Sequence, residues 1–242
     1  MNNKPILIIA ALKEEIKELK GYIKDAKQTS YKDFIFHIGK IKENRVLIVQ
    51  SGVGMDRATR ATQAALELIN PSCIVTIGFC GATRCGLKVS DIVISQKLIF
   101  NDSHDNELYE SAPHLVEIAQ SVSKPKPLLG TTLTTHRPIY RSEIKQALGQ
   151  RTHALALNME GRAVAQVAKK ANVPFIEIRS VLDTAEEDLP HPFEDLKIPY
   201  FKRQFMNLKM MRNATRARKT LTPFVIKFLQ AFHNNQKLNL ER

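Results

Sequence analysis

A chain of 242 residues, 43% hydrophobic and 25% charged, is long enough to bury a substantial core and lacks the composition of a fibrous or disordered protein. Its net charge of +12 is uneven: nine Lys or Arg and no Asp or Glu fall between Lys197 and Lys227, so the basic character belongs largely to the tail. Cys73, Cys80 and Cys85 cannot all pair and show no zinc-ligand spacing. The apolar run 5–12 is broken by Lys13-Glu14-Glu15 and does not read as a signal peptide, and nothing approaches the ~18 apolar residues of a membrane span. A soluble cytoplasmic protein with reduced thiols is expected.

In chain order, short Val/Ile-rich runs alternate with longer helical stretches, the pattern of a layered α/β fold. Residues 6–11 read as a buried strand and 13–23 as the amphipathic helix after it. Residues 34–40 and 45–50 form a hairpin with its turn at 42–44. Ser51-Gly52-Val53-Gly54 then punctuates the chain before a helix at 56–69, whose Ala58, Ala61, Ala64 and Ala65 suit close packing. Further strands are predicted at 73–78, 91–96, 128–134 and 154–158. A helix at 160–171 and a last buried strand at 174–182 follow. Near-continuous apolar runs argue for a sheet covered on both faces. The expected architecture is a single-domain three-layer α/β fold around a central mixed, largely parallel sheet. Residues 1–195 would form the main domain and 196–242 a basic helical extension packed on it.

Ligands of open α/β sheets gather at the carboxyl ends of strands. Four such ends carry suitable residues: Glu14-Glu15, Ser51-Gly52-Val53-Gly54, Gly78-Phe79-Cys80-Gly81 and Asp183. Singly, each has an ordinary explanation: a first-turn carboxylate favoured by the helix dipole, plain turn glycines, a helix N-cap. Their coincidence on one edge is more telling than any one of them.

Ala10-Ala11-Leu12-Lys13-Glu14-Glu15-Ile16, the SGVG turn, GFCGA followed by GLKVSDIVIS, and NMEGRAVAQVAKKANVPFIEIRSVLDTAEE together resemble the landmarks of the purine nucleoside phosphorylase/nucleosidase superfamily. The 5′-methylthioadenosine/S-adenosylhomocysteine nucleosidases are the most similar of its well-known branches. The resemblance runs from Ile6 to Phe193, and its most specific part is the Met-Glu-Gly helix start followed by a strand ending Arg-x-x-x-Asp. It implies that Asp183 is the acid that protonates N7 of the leaving purine, at a pKa raised by its apolar surroundings. Glu15 would position the attacking water, with Arg179 beside it. Glu160 would grip the ribose hydroxyls, with Met159 against the sugar, and an anion there stabilises the cationic charge that develops on the sugar. Ile139 matches a position whose backbone contacts the purine, and Phe193 one where an aromatic closes over the base. Met159, Ile139 and Phe193 read equally well as ordinary core.

Two positions favour water over phosphate as nucleophile. Phosphorylases of the superfamily carry an Arg three residues before a Ser in the GSCGA-like turn; here Thr76 and Phe79 stand there, and a phenylalanine offers an anion no hydrogen bond. Phe79 and Leu182 also replace serines of the methylthioadenosine nucleosidases, which bears on substrate specificity and not on the chemistry. The GFCGA turn and long tail resemble a second branch, the hopanoid-associated nucleoside phosphorylases, which implies an adenosyl-lipid substrate. Ile198, Phe201, Phe205, Leu208 and Met211 among Lys202, Arg203, Lys209 and Arg212 would then form an amphipathic helix on an anionic membrane at the inner face. The plainer alternative is a helix packed on the domain. A nucleic-acid-binding module is disfavoured: there is no Trp, aromatics are 7%, and three acidic groups in one cleft repel phosphate. The resemblance also implies a homodimer through the Ala-rich helix. No metal or organic cofactor is implied.

Overall fold

The computed structural model describes residues 4–101, 107–124, 126–189 and 200–238, with the side chains of the last segment described from 207 on. Ten strands make one sheet: β1 (Ile6–Ala10), β2 (Lys24–Tyr31), β3 (Phe34–Ile41), β4 (Asn44–Gln50), β5 (Cys73–Ala82), β6 (Ile92–Phe100), β7 (Tyr109–Glu110), β8 (Leu128–Thr134), β9 (Ala154–Asn158) and β10 (Phe175–Asp183). Six helices accompany them: α1 (Lys13–Ile16), α2 (Met55–Leu68), α3 (Pro113–Ser121), α4 (Ser142–Thr152), α5 (Gly161–Lys170) and α6 (Tyr200–Leu238). The sheet is mixed. Parallel pairings of β1 with β4 and β5, and of β5 with β10, occupy its centre. β2, β3 and β4 form an antiparallel meander at one end.

β5 organises the rest. Its first half pairs with β1, its last two residues pair with β9, and its other edge runs along β10 from Ile74 to Gly81. Since β10 also pairs with β6, β6 with β8 and β8 with β9, these strands return to β5 and close on themselves. All ten residues of β5 are buried, as a strand covered on both faces requires.

Alternation along β1 feeds two cores. Ile6, Ile8 and Ala10 face a layer made by α3 and by residues 217–232 of α6, whereas Leu7 and Ile9 face a layer made by α2 and α5. The expected close packing of Ala58, Ala61, Ala64 and Ala65 is found, against Ala163, Val164, Ala165 and Ala168 of the same chain. That alanine face is therefore consumed internally and offers nothing to a second subunit.

Several element boundaries differ from the sequence reading. The helix expected over 13–23 is one α-turn, Lys13–Ile16, followed by a 3-10 turn at Leu19–Tyr22; Gly21 lowers helix propensity there. The strand expected to stop at Gly78 continues to Ala82, so Gly78-Phe79-Cys80-Gly81 is extended chain and not a turn. β2, β7, α3 and α4 were not anticipated. Among the described residues no helix is long and apolar enough to cross a membrane, and the three cysteines are free, Cys85 exposed and the other two buried.

Candidate active site

Glu15 is the third residue of α1, whose N-cap is Leu12. Its carboxylate turns back over the helix start, as the acidic member of a capping box does: Oε2 accepts from the Ala11 and Leu12 N–H groups at 2.8 Å each. Oε1 accepts from the Phe79 N–H at 2.8 Å, which pins α1 to β5. Gly78 makes that approach possible, because a Cβ there would lie 2.6 Å from Glu15 Oε1 and closer still to Arg179 Nη1. Burial raises the Glu15 pKa to about 7, outweighing the nearby Arg179 guanidinium and the backbone donors that favour the anion.

Arg179 lies one strand over, on the same face of β10 as Glu177, two residues away. Its guanidinium donates to Glu177 Oε1 from Nε at 3.0 Å and reaches Thr76 Oγ1 at 3.4 Å. Both members of the pair are buried. Glu177 in turn accepts from Ser95 Oγ, from Thr132 Oγ1 at 2.6 Å and from Asn158 Nδ2 at 3.2 Å. Asn158 also holds the start of α5, its Oδ1 accepting from the Glu160 and Gly161 N–H groups at 3.0 and 2.8 Å. Glu160 therefore sits at a helix N-terminus, where the dipole favours its charge, and its Oε1 takes the Gly54 N–H at 2.8 Å. The SGVG turn after β4 and the Met-Glu-Gly start of α5 are joined by that one bond.

Asp183 ends β10 beyond a bulge that shifts the register between Val181 and Asp183. Its carboxylate lies beside Gly81, where a Cβ would come within 3.1 Å of Oδ2. The ammonium group of Lys145, from α4, is 2.7 Å from Oδ2 and donates a second bond to the Thr184 carbonyl at 2.6 Å. Lys145 is 0% and Asp183 4% exposed. Burial pushes the Asp183 carboxyl above its ordinary value although Lys145 pulls it down.

Glu15 and Asp183 thus sit against positions three residues apart on β5, roughly 10 Å along the strand, with Arg179 and Glu160 close enough to Glu15 to act on its charge. Among the described residues, every buried charged side chain except Arg162 belongs to this assembly: Glu15, Lys145, Glu160, Glu177, Arg179 and Asp183. Buried charge is costly unless paired, and such a concentration of it, with Glu15 and Asp183 pushed above their ordinary values by burial, marks a functional site. Of the other expected residues, Met159 is half-buried next to Glu160, to whose Oε2 its N–H donates at 3.3 Å. Phe79 contributes its backbone to Glu15 while its ring joins the core layer of α3 and α6. Ile139 packs on the cluster of Leu133, Leu148, Ala154 and Leu157, and Leu157 reaches toward Gly81 beside Asp183. Phe193 lies outside the described residues. Sequence reasoning missed Lys145 and Glu177. The latter was visible as a carboxylate inside an otherwise apolar strand, two residues from Arg179.

A family model described as the phosphorylase superfamily matches residues 5–225. The chain belongs to the phosphorylase superfamily. Among curated members similar to it are 5′-methylthioadenosine/S-adenosylhomocysteine nucleosidases of Colwellia psychrerythraea, 28% identical over 78% of this chain and 87% of that one, and of Pseudoalteromonas translucida, 29% identical over 78% and 88%. The same fold is seen in the Neisseria meningitidis 5′-methylthioadenosine/S-adenosylhomocysteine nucleosidase in complex with methylthio-immucillin-A, with a TM-score of 0.81 at 21% identity, covering 94% of this chain and 99% of that one. The Streptococcus pyogenes S-adenosylhomocysteine nucleosidase in complex with 5-methylthiotubericidin likewise gives 0.81 at 24% identity, covering 95% and 97%. The superfamily match extends past Asp183 well into α6.

Proposed function

We propose that this chain hydrolyses the N-glycosidic bond of a 5′-modified adenosine such as methylthioadenosine or S-adenosylhomocysteine, releasing adenine. The observation that carries the reading is the placing of two buried carboxyls, Glu15 and Asp183, against Gly78 and Gly81 of one strand. In this reading Asp183 takes N7 of the purine and Glu15 takes the water at the anomeric carbon. In the reaction the water oxygen bonds to the anomeric carbon and gives its proton to Glu15. The bond to the base breaks, its electron pair passes to the purine, and the Asp183 proton goes to N7. Glu160 holds the ribose hydroxyls and stabilises the oxocarbenium-like sugar, Met159 and Ile139 flank sugar and base, and Arg179 keeps Glu15 oriented. Thr76 is within reach of Arg179 and Phe79 is turned into the core, which supports water over phosphate.

The test is chromatographic detection of base release from methylthioadenosine, S-adenosylhomocysteine, adenosine and inosine, with and without phosphate. Phosphate-independent release of adenine, abolished by Asp183→Asn, is the expected result; release only with phosphate overturns the hydrolytic reading.

A second reading, adenine release from an adenosyl-lipid, is favoured by one observation. Leu208, Met210 and Met211 are 55%, 41% and 68% exposed beside Lys209 and Arg212 on α6, a surface suited to peripheral contact with an anionic bilayer. Co-flotation with vesicles containing phosphatidylglycerol, lost in a Leu208→Ser/Met211→Ser variant, is what that reading requires. A homodimer is part of the proposal too. With the alanine face of α2 buried, the second subunit would meet another surface, and light scattering of the eluted protein checks the mass.

A further inference from the structure

The acid of the proposed reaction is not a lone carboxyl. Lys145 is fully buried, and its ammonium group lies 2.7 Å from Asp183 Oδ2 and 2.6 Å from the Thr184 carbonyl oxygen. A lysine stripped of water at such a position needs a reason, since burying an ammonium group is costly and an apolar residue would pack α4 at least as well. Its neighbours on the helix sharpen the point: the buried side chains of α4 are Lys145 and Leu148, one helical turn apart, so the lysine stands in the stripe where a core residue belongs. Nothing in the resemblance assigns it a role.

We propose that Lys145 is the positioning residue of the leaving-group acid: its ammonium group fixes the Asp183 carboxyl through Oδ2 and receives the charge left there when the proton on the other oxygen passes to the purine. The inference rests on the reading of Asp183 as the acid. The step balances without a further reactant. The Asp183 O–H bond breaks, an N–H bond forms at N7, the electron pair of the glycosidic bond goes to the base, and the new carboxylate remains in contact with a cation already in place. Preorganised opposite charge at the point where charge develops lowers the barrier without reorganisation at the moment of reaction. Without Lys145 the carboxylate would form in a site sealed from water, beside Glu187, which disfavours it further.

Among the described residues, the groups facing this pair are few. Glu187 and Asp188 lie on the segment after β10, Glu187 being held by Lys209 of α6 at 2.8 Å and Asp188 sensing Lys145. Cys80 of β5 senses both Asp183 and Arg179. Among the described residues Lys145 is the cation in contact with Asp183, so its removal makes the acid weaker and keeps it protonated to higher pH.

The experiment compares Lys145→Met, Lys145→Arg, Asp183→Asn and the wild type on two substrates. One is methylthioadenosine, whose base must be protonated to leave; the other is para-nitrophenyl riboside, whose phenolate leaves unaided. Lys145→Met should lose on the order of 100-fold in kcat on the purine substrate while staying within about three-fold of wild type on the nitrophenyl one. Its alkaline limb on the purine substrate should move to higher pH, and Lys145→Arg should restore most of the loss. Retained nitrophenyl turnover also shows that the variant is folded. Equal losses on both substrates would make Lys145 a structural residue and overturn the inference alone, as would wild-type purine turnover with an unmoved alkaline limb. A wild-type chain that leaves the purine substrate intact, or an Asp183→Asn variant as active on it as wild type, overturns the reading of the acid itself and the inference with it.

Discussion

Three backbone N–H donors and a guanidinium converge on Glu15, and its pKa still rises to about 7 because the carboxyl is stripped of water. In its proposed role Glu15 must be ionised to take a proton from water, so turnover should fall as pH drops through about 7. A kcat/KM profile of the ligand-free enzyme checks this; in Glu15→Gln the overall rate should fall by about 10²–10⁴-fold with no such limb in what remains. The same shift has a sign in stability. A carboxyl whose folded pKa exceeds its unfolded value of 4.5 favours the folded state while protonated. That contribution is full below about 4.5 and is lost as pH rises through about 7, amounting to roughly 3 kcal/mol over the window. Chemical denaturation of wild type and Glu15→Gln at pH 5 and 8 should therefore differ less in the variant. Much of this was open to sequence: an acidic residue just after a buried strand, and Asp183 at the end of another, were recognisable because chemistry at strand ends follows from topology. Lys145 was not, because a lone lysine in a polar stretch signals nothing until the helix that buries it is known.

Elements buried on both faces announced themselves. β1, β9 and β10 lie within a residue or two of where their apolar runs put them, since a continuous run admits few other placements. β2 did not, for an equally physical reason. Its sequence KDAKQTSY is exposed nearly throughout, a lysine-bearing edge strand held by backbone pairing to β3 with no apolar face to display. α4 went unseen because its inward face carries Lys145 where an apolar residue would have shown the period. α3 did offer signals, Pro113 at its first position and an apolar set Leu115, Val116, Ile118 and Ala119. At the start of α5 the fit between elements is tight enough to test. A Cβ on Gly161 would overlap Glu177 Oε1 on β10 and lie 3.1 Å from Asn158 Nδ2, so Gly161→Ala must push the helix start away from the Glu177–Arg179 pair. Calorimetry should show a loss of roughly 1–3 kcal/mol, whereas Gly21→Ala, with nothing within 4 Å of its Cβ, should stay within about 0.5 kcal/mol.

The charge asymmetry of the whole chain resolves into two unlike halves of one helix. Leu208, Met210 and Met211 of α6 are exposed among basic residues, while Ala217, Leu221, Phe224, Val225, Phe228, Leu229 and Phe232 are buried in the layer that also holds Ile6, Ile8 and Ala10 of β1. Asn44 at the start of β4 donates its side-chain N–H to the Leu229 carbonyl at 2.8 Å, and Arg218 reaches Glu18 at 2.9 Å. The closed path of strands and this late-arriving helix were beyond sequence reasoning, since both depend on pairings between segments 100 or more residues apart. Composition drew attention instead to the basic residues of the tail, of which Lys209, Arg212, Arg216, Lys219 and Lys227 are exposed. The buried half of α6 thus covers the face of the sheet that carries β1 and the start of β5, and with it the base from which Glu15 and Phe79 are presented. Phe228→Ala should cost about 3–5 kcal/mol, read by urea denaturation, because it opens a cavity in that layer. A chain ended at residue 199 should do worse than any point substitution and be recovered insoluble or without a cooperative unfolding transition. Recovery of a soluble, cooperatively folding protein from that truncation would mean the sheet closes without α6, and would reduce the helix to an appendage.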